Sequence, residues 1–433
     1  MSALLDFVKY DELTNWSVAH LLQNHFNYNK DFPLVRIGSF LKRNKTQIDI
    51  EDNTVYKRVT IKLYNNGVFL RDTEIGKNIG TKKQFKIKEG QFLLSKIDAR
   101  NGAFGLATSE VNEAVITADF FAYDIDQSKI EPYYLVLMTT TKHFQEFAQS
   151  ASSGTTGRQR IDEKKFLDVK IPLPSLEKQK KIVDKVLSNE ALLKTLKLEF
   201  NNLLQNFKNT IFDTSKKHSK NILEFLEYEK LHNWSVQNLL DNRFNYDQTY
   251  PLVKIKKFIK RNKSQIIVDD DTEYKRVTIR LYNKGVFVRD RVRGKEIGTK
   301  KQFVIKEGQF LLSKIDARNG AFGIATNEVD GAIITADFFA YDIDESQIDP
   351  YFLSLITTTE QFTEFARNSS TGTTNRQRLN EEIFLNVEIP LPLLHEQDEL
   401  TKPLKNNLLE QQRVEQNRLD AIAAFEKEVF SEA

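Results

Sequence analysis

The sequence contains no cysteine, only nine prolines and two tryptophans among its 433 residues, and no long apolar run. The absence of cysteine excludes a disulfide framework, a thiol nucleophile and a zinc site with cysteine ligands. No segment approaches the roughly 20 consecutive apolar residues that a membrane-spanning helix needs. The first apolar stretch at the N-terminus is interrupted by charges, unlike a secretory signal. The sequence therefore predicts a soluble, cytoplasmic protein.

The sequence also lacks a large excess of charge of one sign. It has 63 Lys and Arg residues and 60 Asp and Glu residues, which give a formal net charge of +3. Any basic binding surface must therefore be local. Apolar residues make up 40% of the chain, which is enough for folded cores. The length is about three times the roughly 150 residues typical of one domain, so we expect two or more folded units.

The chain contains two copies of one sequence unit. Trp16 returns as Trp234, and Gly90 returns as Gly308, in each case 218 positions later. The segment 87–105 recurs unchanged as 305–323. A period of this length indicates two whole domains and not a solenoid. The middle parts of the copies are nearly identical whereas their ends differ, which favours two copies with the same task; a recent duplication or conversion gives the same pattern.

Each copy divides into a mixed globular part and a helical tail. Residues 34–126 predict short strands such as RVTIKLY, GVFLRD, GQFLLSKI and ADFFAYDI, because β-branched and aromatic residues alternate there with polar ones. Residues 132–150 predict one helix, and FLDVKIPLP (166–174) predicts a strand. The predicted fold class is α+β, with two mixed α/β domains and two long helices.

The tails predict long helices that pack on each other. The first tail lacks glycine and proline from residue 176 to 212, and its apolar residues alternate in steps of four and three. This spacing predicts the heptad seam of a coiled coil with one polar position, formed by Ile182, Val186, Asn189, Leu193, Leu196, Phe200, Leu203 and Phe207. The second tail, 396–430, predicts a less regular apolar face of Leu404, Leu408, Val414, Leu419, Ile422 and Phe425. Packing of each helix on its own domain alone is the other possibility.

The predicted division of the chain follows these patterns. Residues 1–174 form the N-terminal segment and first globular domain, and residues 175–216 the first long helix. Residues 217–392 form a linker and the second globular domain, and residues 393–433 the second long helix.

No catalytic residue pattern is repeated. Six histidines occur, and none recurs at the 218-residue shift. The chain lacks the GxxxxGK[ST] loop of nucleotide-binding proteins and the Asn/Asp-Pro-Pro-Tyr motif of amino-methyltransferases. The Glu-x-Lys of many nucleases occurs at Glu163, but its lysine is lost beside the matching Glu381. We therefore expect a non-catalytic chain that holds neither a metal nor a cofactor.

Polar and basic loops do repeat, and their side chains suit DNA. Arginine can bond to guanine, asparagine and glutamine to adenine, and lysine to phosphates. A charged turn is usually only a solvated surface, but its recurrence in both copies favours a function. The candidate DNA-binding residues are Lys57, Arg58, Lys82, Lys83, Gln84, Lys96, Arg100, Asn101, Thr156, Arg158, Gln159 and Arg160 in the first copy, and Lys275, Arg276, Lys300, Lys301, Gln302, Lys314, Arg318, Asn319, Thr374, Arg376, Gln377 and Arg378 in the second.

Three segments together resemble the specificity subunit of type I restriction–modification systems. They are GQFLLSKIDARNGAFG (90–105), the loop SSGTTGRQR (152–160) before a strand ending in IPLP, and the helix EKQKKIVDKV (177–186). The resemblance covers essentially the whole chain, and the order of domain, long helix, domain, long helix is also similar.

This resemblance implies two target-recognition domains held apart by an antiparallel pair of helices, each domain reading one half of a split sequence in double-stranded DNA. The helices would dock two methyltransferase subunits, which use S-adenosylmethionine to methylate adenine, and the restriction subunits. The chain itself would be catalytically silent. By position in the domain, residues 158–160 and 96–101 would face DNA.

One departure from the family changes the expected target. Family members usually carry two different recognition domains, whereas the two domains here are close copies. We therefore expect nearly the same half-site twice, in inverted orientation, because an antiparallel helix pair gives a pseudo-two-fold axis. The target would be an interrupted near-palindrome.

Three other functions are consistent with parts of the sequence. The chain can serve a system whose methyltransferase and nuclease are fused in one partner, which its sequence hardly distinguishes. A stand-alone nuclease or methyltransferase would need the repeated catalytic residues that the sequence lacks. A coiled-coil scaffold without DNA contact would leave the repeated Arg, Gln and Asn loops unexplained.

Overall fold

The structure, a computed structural model, describes residues 28–153, 159–212, 246–282, 284–371 and 377–430. The chain divides into two compact units. Unit 1 combines the chain up to Lys194 with the segment from Gln412 onward, and unit 2 runs from Thr195 to Gln411. Each unit therefore contains one mixed α/β domain and one end of each of two 36-residue helices.

The first copy of the sequence forms thirteen strands and four α-helices within its described residues. The strands are β1 (Leu34–Arg36), β2 (Leu41–Arg43), β3 (Gln47–Asp49), β4 (Val55–Ile61), β5 (Val68–Ile75), β6 (Lys83–Lys86), β7 (Phe92–Ser95), β8 (Phe104–Leu106), β9 (Val115–Ile116), β10 (Phe120–Ile125), β11 (Ser152–Ser153), β12 (Arg160–Ile161) and β13 (Lys170–Pro172). The helices are α1 (Pro132–Thr140), α2 (Lys142–Ser150), α3 (Glu163–Asp168) and α4 (Leu176–Ile211).

The second copy repeats this order element by element. Its strands are β14 (Leu252–Lys254), β15 (Ile259–Arg261), β16 (Gln265–Ile267), β17 (Glu273–Ile279), β18 (Val286–Arg293), β19 (Lys301–Val304), β20 (Phe310–Ser313), β21 (Phe322–Ile324), β22 (Ile333–Ile334), β23 (Phe338–Ile343), β24 (Ser370–Thr371), β25 (Arg378–Leu379) and β26 (Glu388–Pro390). Its helices are α5 (Pro350–Thr357), α6 (Glu360–Asn368), α7 (Glu381–Asn386) and α8 (Leu394–Val429).

Two sheets form the centre of each α/β domain. In unit 1 the five-stranded sheet has the order β3-β6-β9-β4-β5, and the four-stranded sheet has the order β2-β10-β7-β8. Neighbouring strands are antiparallel except for β4 and β9, which are parallel. Two-stranded ladders join β1 to β13 and β11 to β12. Unit 2 has the same sheets.

Strand β7 is buried on both faces, which explains the run of three apolar residues Phe92–Leu94. Successive side chains on a strand point to opposite faces. Phe92 and Leu94 pack into a core with helices α1, α2 and α3, whereas Leu93 packs into a second core with Val59 and Val68 of the five-stranded sheet. The four-stranded sheet therefore lies between the helices and the other sheet.

The long helices run antiparallel within unit 1. Lys178, near the start of α4, pairs with Glu428, near the end of α8, at 2.7 Å. Farther along α4, Glu190 lies 3.8 Å from Arg418. Most of the predicted seam of α4 is buried or half-buried, but the amide of Asn189 donates to the Lys185 carbonyl of its own helix. The prediction that two long helices contact each other is confirmed for unit 1.

A buried glutamine attaches each long helix to its α/β domain. Gln179 is fully buried; its side chain accepts from the Glu131 N–H at 2.8 Å and donates to the Pro174 carbonyl at 2.8 Å. In unit 2, Gln397 makes the same pair of bonds to Asp349 and Pro392. The loop before α1 or α5 is thereby fixed to the start of a long helix.

Three local predictions are wrong. The helix expected over residues 132–150 breaks at Thr141, whose hydroxyl accepts from the Phe144 N–H and caps a new helix, α2. The strand expected over residues 166–174 begins only at Lys170, because helix α3 extends to Asp168. Leu419, expected on the apolar face of α8, is 47% exposed.

Candidate nucleic-acid interface

The turn after β7 positions the first group of predicted DNA-binding residues. Gly102 closes this turn with a positive φ of 73°, a conformation that suits glycine. The Asp98 carbonyl accepts from the Asn101 N–H at 2.8 Å, and the Ser95 hydroxyl bonds to the Asp98 carboxylate. The fold thus holds Lys96, Arg100 and Asn101 on one short rigid turn.

Strand β12 brings further predicted residues beside this turn. The Ile161 N–H donates to the Lys96 carbonyl at 2.9 Å, and the Arg100 guanidinium donates to the Gln159 side chain at 3.1 Å. Arg160 pairs with Asp119 at 3.0 Å. We name the group formed by Lys96, Arg100, Gln159 and Arg160 the Lys96 cluster. Residues 154–158, which include the predicted Thr156 and Arg158, lie outside the described residues.

Two cations lie over one aromatic ring in this cluster. The Lys96 ammonium is 4.2 Å from the centre of the Phe121 ring, and the Arg43 guanidinium is 3.8 Å from it. Arg43 also pairs with Glu163 at 3.1 Å. Partial burial, and then the positive charge of Arg43, lower the pKa of Lys96. The arrangement places two cations side by side, which suits contact with phosphate, but Glu163 and Asp119 lie next to the cations of this surface.

A second group of predicted residues lies on the five-stranded sheet. Arg58 on β4 forms two bonds to Asp72, its partner on β5, at 2.6 and 2.9 Å. The Arg58 bonds raise its pKa and lower that of Asp72. Lys57 donates to the Glu110 carbonyl, and Lys82 pairs with Asp52 at 2.6 Å. Contact with DNA would require these side chains to exchange protein partners for phosphates.

The remaining pair of this second group differs in accessibility. Lys83 is exposed. Gln84 is 4% exposed, and its amide donates to the Thr81 carbonyl at 2.9 Å. The side chain of Gln84 therefore helps to hold the loop before β6.

The second copy reproduces both groups. Lys314 lies 4.1 Å from the Phe339 ring, Arg318 donates to Gln377 at 3.4 Å, and Arg378 pairs with Asp337 at 3.0 Å. Burial, followed by the charge of Arg261, lowers the pKa of Lys314. We name the group of Lys314, Arg318, Gln377 and Arg378 the Lys314 cluster; Thr374 and Arg376 lie outside the described residues.

The sheet-borne residues also correspond between the units. Lys275 donates to the carbonyls of Glu328 and Asp330, Arg276 pairs with Asp290 at 2.7 Å, and Lys300 pairs with Asp270. Lys301 is exposed, whereas Gln302 is 3% exposed. Asn319, in the turn of the Lys314 cluster, is half-buried. Arg276 and Gln302 line one cavity of about 230 Å³, together with Arg289 and Thr299.

Sequence reasoning did not select Arg43 and its counterpart Arg261 as site residues. Each lies over an aromatic ring of β10 or β23 and pairs with the glutamate that begins α3 or α7. The signal was present in the repeated Lys-Arg-Asn-Lys segment at 42–45. The same contacts give the repeated acid Glu163 a structural role, since it also accepts from the Tyr123 hydroxyl at 3.1 Å.

Two further findings concern other kinds of site. Within the described ranges, no group of three or more His, Asp or Glu side chains is placed to hold a metal ion. Of the helices that the structure describes, none is long and apolar enough to cross a membrane.

Comparisons with known proteins agree with this geometry. The profile of the type I restriction modification DNA specificity domain matches residues 29–206 and again residues 249–424. The chain is 24% identical over 408 residues to the type I restriction enzyme MjaVIII specificity subunit of Methanocaldococcus jannaschii, covering 90% of each chain. It is similar in fold to the crystal structure of a type I restriction–modification system S subunit from M. genitalium, with a TM-score of 0.50, 12% identity and coverage of 95% and 98%.

The two matched segments together span more than half of the chain and coincide with its two copies. The resemblance noted from the sequence is therefore confirmed, and with it the prediction of a non-catalytic subunit. The chain belongs to the type I restriction–modification DNA specificity family.

Proposed function

We propose that this chain reads a bipartite, interrupted and nearly palindromic DNA sequence, one half-site per unit. The observation that carries the proposal is the recurrence of the Lys96 cluster as the Lys314 cluster, with the same partners. The ring contacts of Lys96 and Lys314 differ by only 0.1 Å, at 4.2 and 4.1 Å. Like geometry with like side chains is expected to select like bases.

The roles within each cluster follow from side-chain chemistry. Arg100 and Gln159 are planar groups that can form paired hydrogen bonds to base edges. Lys96 is a compact point charge suited to phosphate. Arg160 is half-exposed beside Asp119, so it can turn toward DNA by giving up an exposed ion pair of small free energy. Thr156 and Arg158, which lie outside the described residues, stay predicted DNA-binding residues on the strength of the sequence.

The remaining partners are proposed from the family. Two methyltransferase subunits would dock on the long helices and supply S-adenosylmethionine, and restriction subunits would complete the complex in the cytoplasm. The antiparallel course of α4 and α8 within unit 1 supports the inverted order of half-sites. The alternative is a single partner in which methyltransferase and nuclease are fused; this chain would then recognise the DNA for that partner.

The test is selection of bound duplexes from a random DNA pool by the chain co-purified with its methyltransferase. We expect one short motif in inverted orientation across a fixed gap. Two unrelated half-sites would refute the near-palindrome and keep the DNA-reading role. No enrichment at low salt, where phosphate contacts are strongest, would favour the alternative of a coiled-coil scaffold without DNA contact.

Matched variants assign each half-site to a unit. Arg100→Ala should relax base preference in one half-site only, and Arg318→Ala in the other. Lys165→Ala is the control, because it also removes a cation from unit 1 but lies in α3, outside the Lys96 cluster. Equal loss of binding to all sequences from both arginine variants would contradict the assignment of base contacts.

A further inference from the structure

The hairpin between β4 and β5 carries a tyrosine in an unfavourable backbone conformation. Tyr64 has φ of 59°, and its counterpart Tyr282 has φ of 60°. Few residues other than glycine, asparagine and aspartate adopt this left-handed region, because the Cβ atom crowds the backbone. Tight hairpin turns normally use those small residues for this reason. Turn formation alone does not explain a tyrosine at this place in both units.

Packing does not explain the tyrosine either. Tyr64 is 76% exposed and Tyr282 is 74% exposed. Aromatic side chains contribute to folding mainly by burying their large surface. Each of these rings therefore contributes little to the stability of the fold, although its backbone is strained. Unfavourable backbone conformations of this kind concentrate at functional sites.

The strained hairpin is attached to the turn of the proposed DNA surface. The Tyr64 N–H donates to the Asn101 carbonyl at 2.7 Å, and the Asn65 N–H donates to the Gly102 carbonyl at 2.7 Å. In unit 2 the Tyr282 N–H donates to the Asn319 carbonyl at 2.8 Å. A Cβ atom on Gly102 would lie 3.1 Å from the Asn65 side chain, so the two turns are in close contact. The tyrosine is thereby fixed beside Arg100 or Arg318.

A cation accompanies each tyrosine on the same hairpin. The Lys62 ammonium lies 4.3 Å from the centre of the Phe69 ring, and the Arg280 guanidinium lies 4.3 Å from that of Phe287. Stacking on a ring restricts the position of a long side chain. The hairpin therefore presents an exposed aromatic ring and a held positive charge at its tip, although the cation is lysine in one unit and arginine in the other.

Another pair of matching positions with positive φ can be compared with Tyr64 and Tyr282. Glu113 also has a positive φ, of 64°, and the matching residue in unit 2 is Gly331, with φ of 70°. At that position the two copies differ, and one has the residue that the backbone favours. At positions 64 and 282 both copies keep tyrosine. The side chain itself is thus the feature that the two hairpins share.

We propose that Tyr64 and Tyr282 are DNA-contacting residues that pack their rings against the bases and sugars of the bound half-site. Lys62 and Arg280 bind a flanking phosphate. The inference deepens the proposed function and rests on it. In a duplex the faces of the bases are stacked on one another, so each ring would pack on deoxyribose and on groove edges. Sugar contacts carry no sequence information directly, so the tyrosines should add affinity and register more than base preference.

The test replaces the strained tyrosines by glycine, in the full chain co-purified with its methyltransferase. Tyr64→Gly with Tyr282→Gly relieves the backbone and removes both rings, so we expect an unchanged or higher melting temperature together with at least tenfold weaker binding to the selected duplex. Tyr64→Phe with Tyr282→Phe keeps the rings and should bind within about threefold of the parent. Binding is measured by fluorescence anisotropy.

Glu113→Gly is the matched control, because it relieves the same kind of strain in unit 1 without removing a ring. This variant should not weaken binding. Parent-like affinity of the double glycine variant would overturn the inference and leave the proposed function intact. Absence of duplex binding by the parent complex would overturn both. If glycine lowers the melting temperature, asparagine, which tolerates the left-handed region, replaces it at both positions and is subject to the same criterion.

Discussion

We expect Gln179→Leu to destabilise unit 1 strongly, although it replaces one buried side chain by another of similar size. Gln179 is fully buried and bonds to the Glu131 N–H and the Pro174 carbonyl, both at 2.8 Å. Leucine would leave these two backbone groups without that partner. Each such buried group costs about 1–3 kcal/mol, and the apolar leucine offsets roughly 1–2 kcal/mol by its own burial. With two such groups, mid-range values give a net loss in the free energy of unfolding of about 2–3 kcal/mol.

Two measurements test this expectation. Urea denaturation followed by circular dichroism gives the free energy of unfolding, and hydrogen exchange gives the protection of the Glu131 amide, which should fall in the variant. Gln397→Leu makes the same change in unit 2, where the partners are Asp349 and Pro392. It should affect the second unit by a similar amount.

Gln205→Leu is the control for the substitution itself. Gln205 lies on the same helix, α4, and is exposed, so its replacement should change the free energy of unfolding by less than about 0.5 kcal/mol. A Gln179→Leu variant as stable as this control, with an unchanged Glu131 exchange rate, would refute the role given to the buried bonds.

Three further expectations concern Arg43, Lys96 and Gly76 of unit 1. Arg43→Met should cost about 1–2 kcal/mol in denaturant unfolding, since it removes a ring contact and an ion pair with the half-exposed Glu163; a neutral effect would contradict this. The lowered pKa of Lys96 means that the unfolded chain binds more protons than the folded chain in the alkaline range just below the ordinary lysine value. The stability of the parent relative to Lys96→Met should therefore rise from pH 7 to pH 10, and a constant difference would speak against it. Gly76→Ala should cost about 3 kcal/mol or more in thermal unfolding, because a Cβ atom there would lie 1.9 Å from the Glu51 carbonyl oxygen; Gly80→Ala, with nothing within 4 Å of its Cβ, should be nearly neutral, and equal effects would exclude the steric explanation.

The sequence predicted those parts of the fold that depend on repetition and on local period. The 218-residue shift predicted two equivalent domains, and the heptad spacing predicted the helix that runs over Leu176–Ile211. It did not predict the break at Thr141, because an apolar run gives no sign of a threonine that caps a second helix in its middle. The end of α3 was missed for a similar reason, since six residues are too few to show a helical period.

The candidate site was predicted less completely, because residue type does not reveal cross-strand partners. Arg58 and Asp72 are 14 residues apart and become directly opposed only through the register of β4 and β5. Gln84 and Gln159 both follow a basic residue in the sequence. In the structure Gln84 is buried, whereas Gln159 belongs to the Lys96 cluster. Tyr64 was not selected at all, since only its positive φ and its exposure distinguish it from an ordinary strand-end tyrosine.

Unit 1 is built from two separate stretches of the chain, and this affects how the protein folds during synthesis on the ribosome. The first residues described in unit 1 meet its last ones: the Asn29 N–H donates to the Val429 carbonyl at 2.9 Å, and Tyr28 stacks on Phe430. Unit 2 is one continuous stretch and can close as soon as it emerges. Synthesis adds about 5–20 residues per second. The helix α8, whose Phe425 packs on Tyr134, is therefore made tens of seconds after the N-terminal domain. A chaperone that shields this face would act on the nascent chain, and a premature stop near the C-terminus would leave the beginning of the protein, not its middle, incompletely folded.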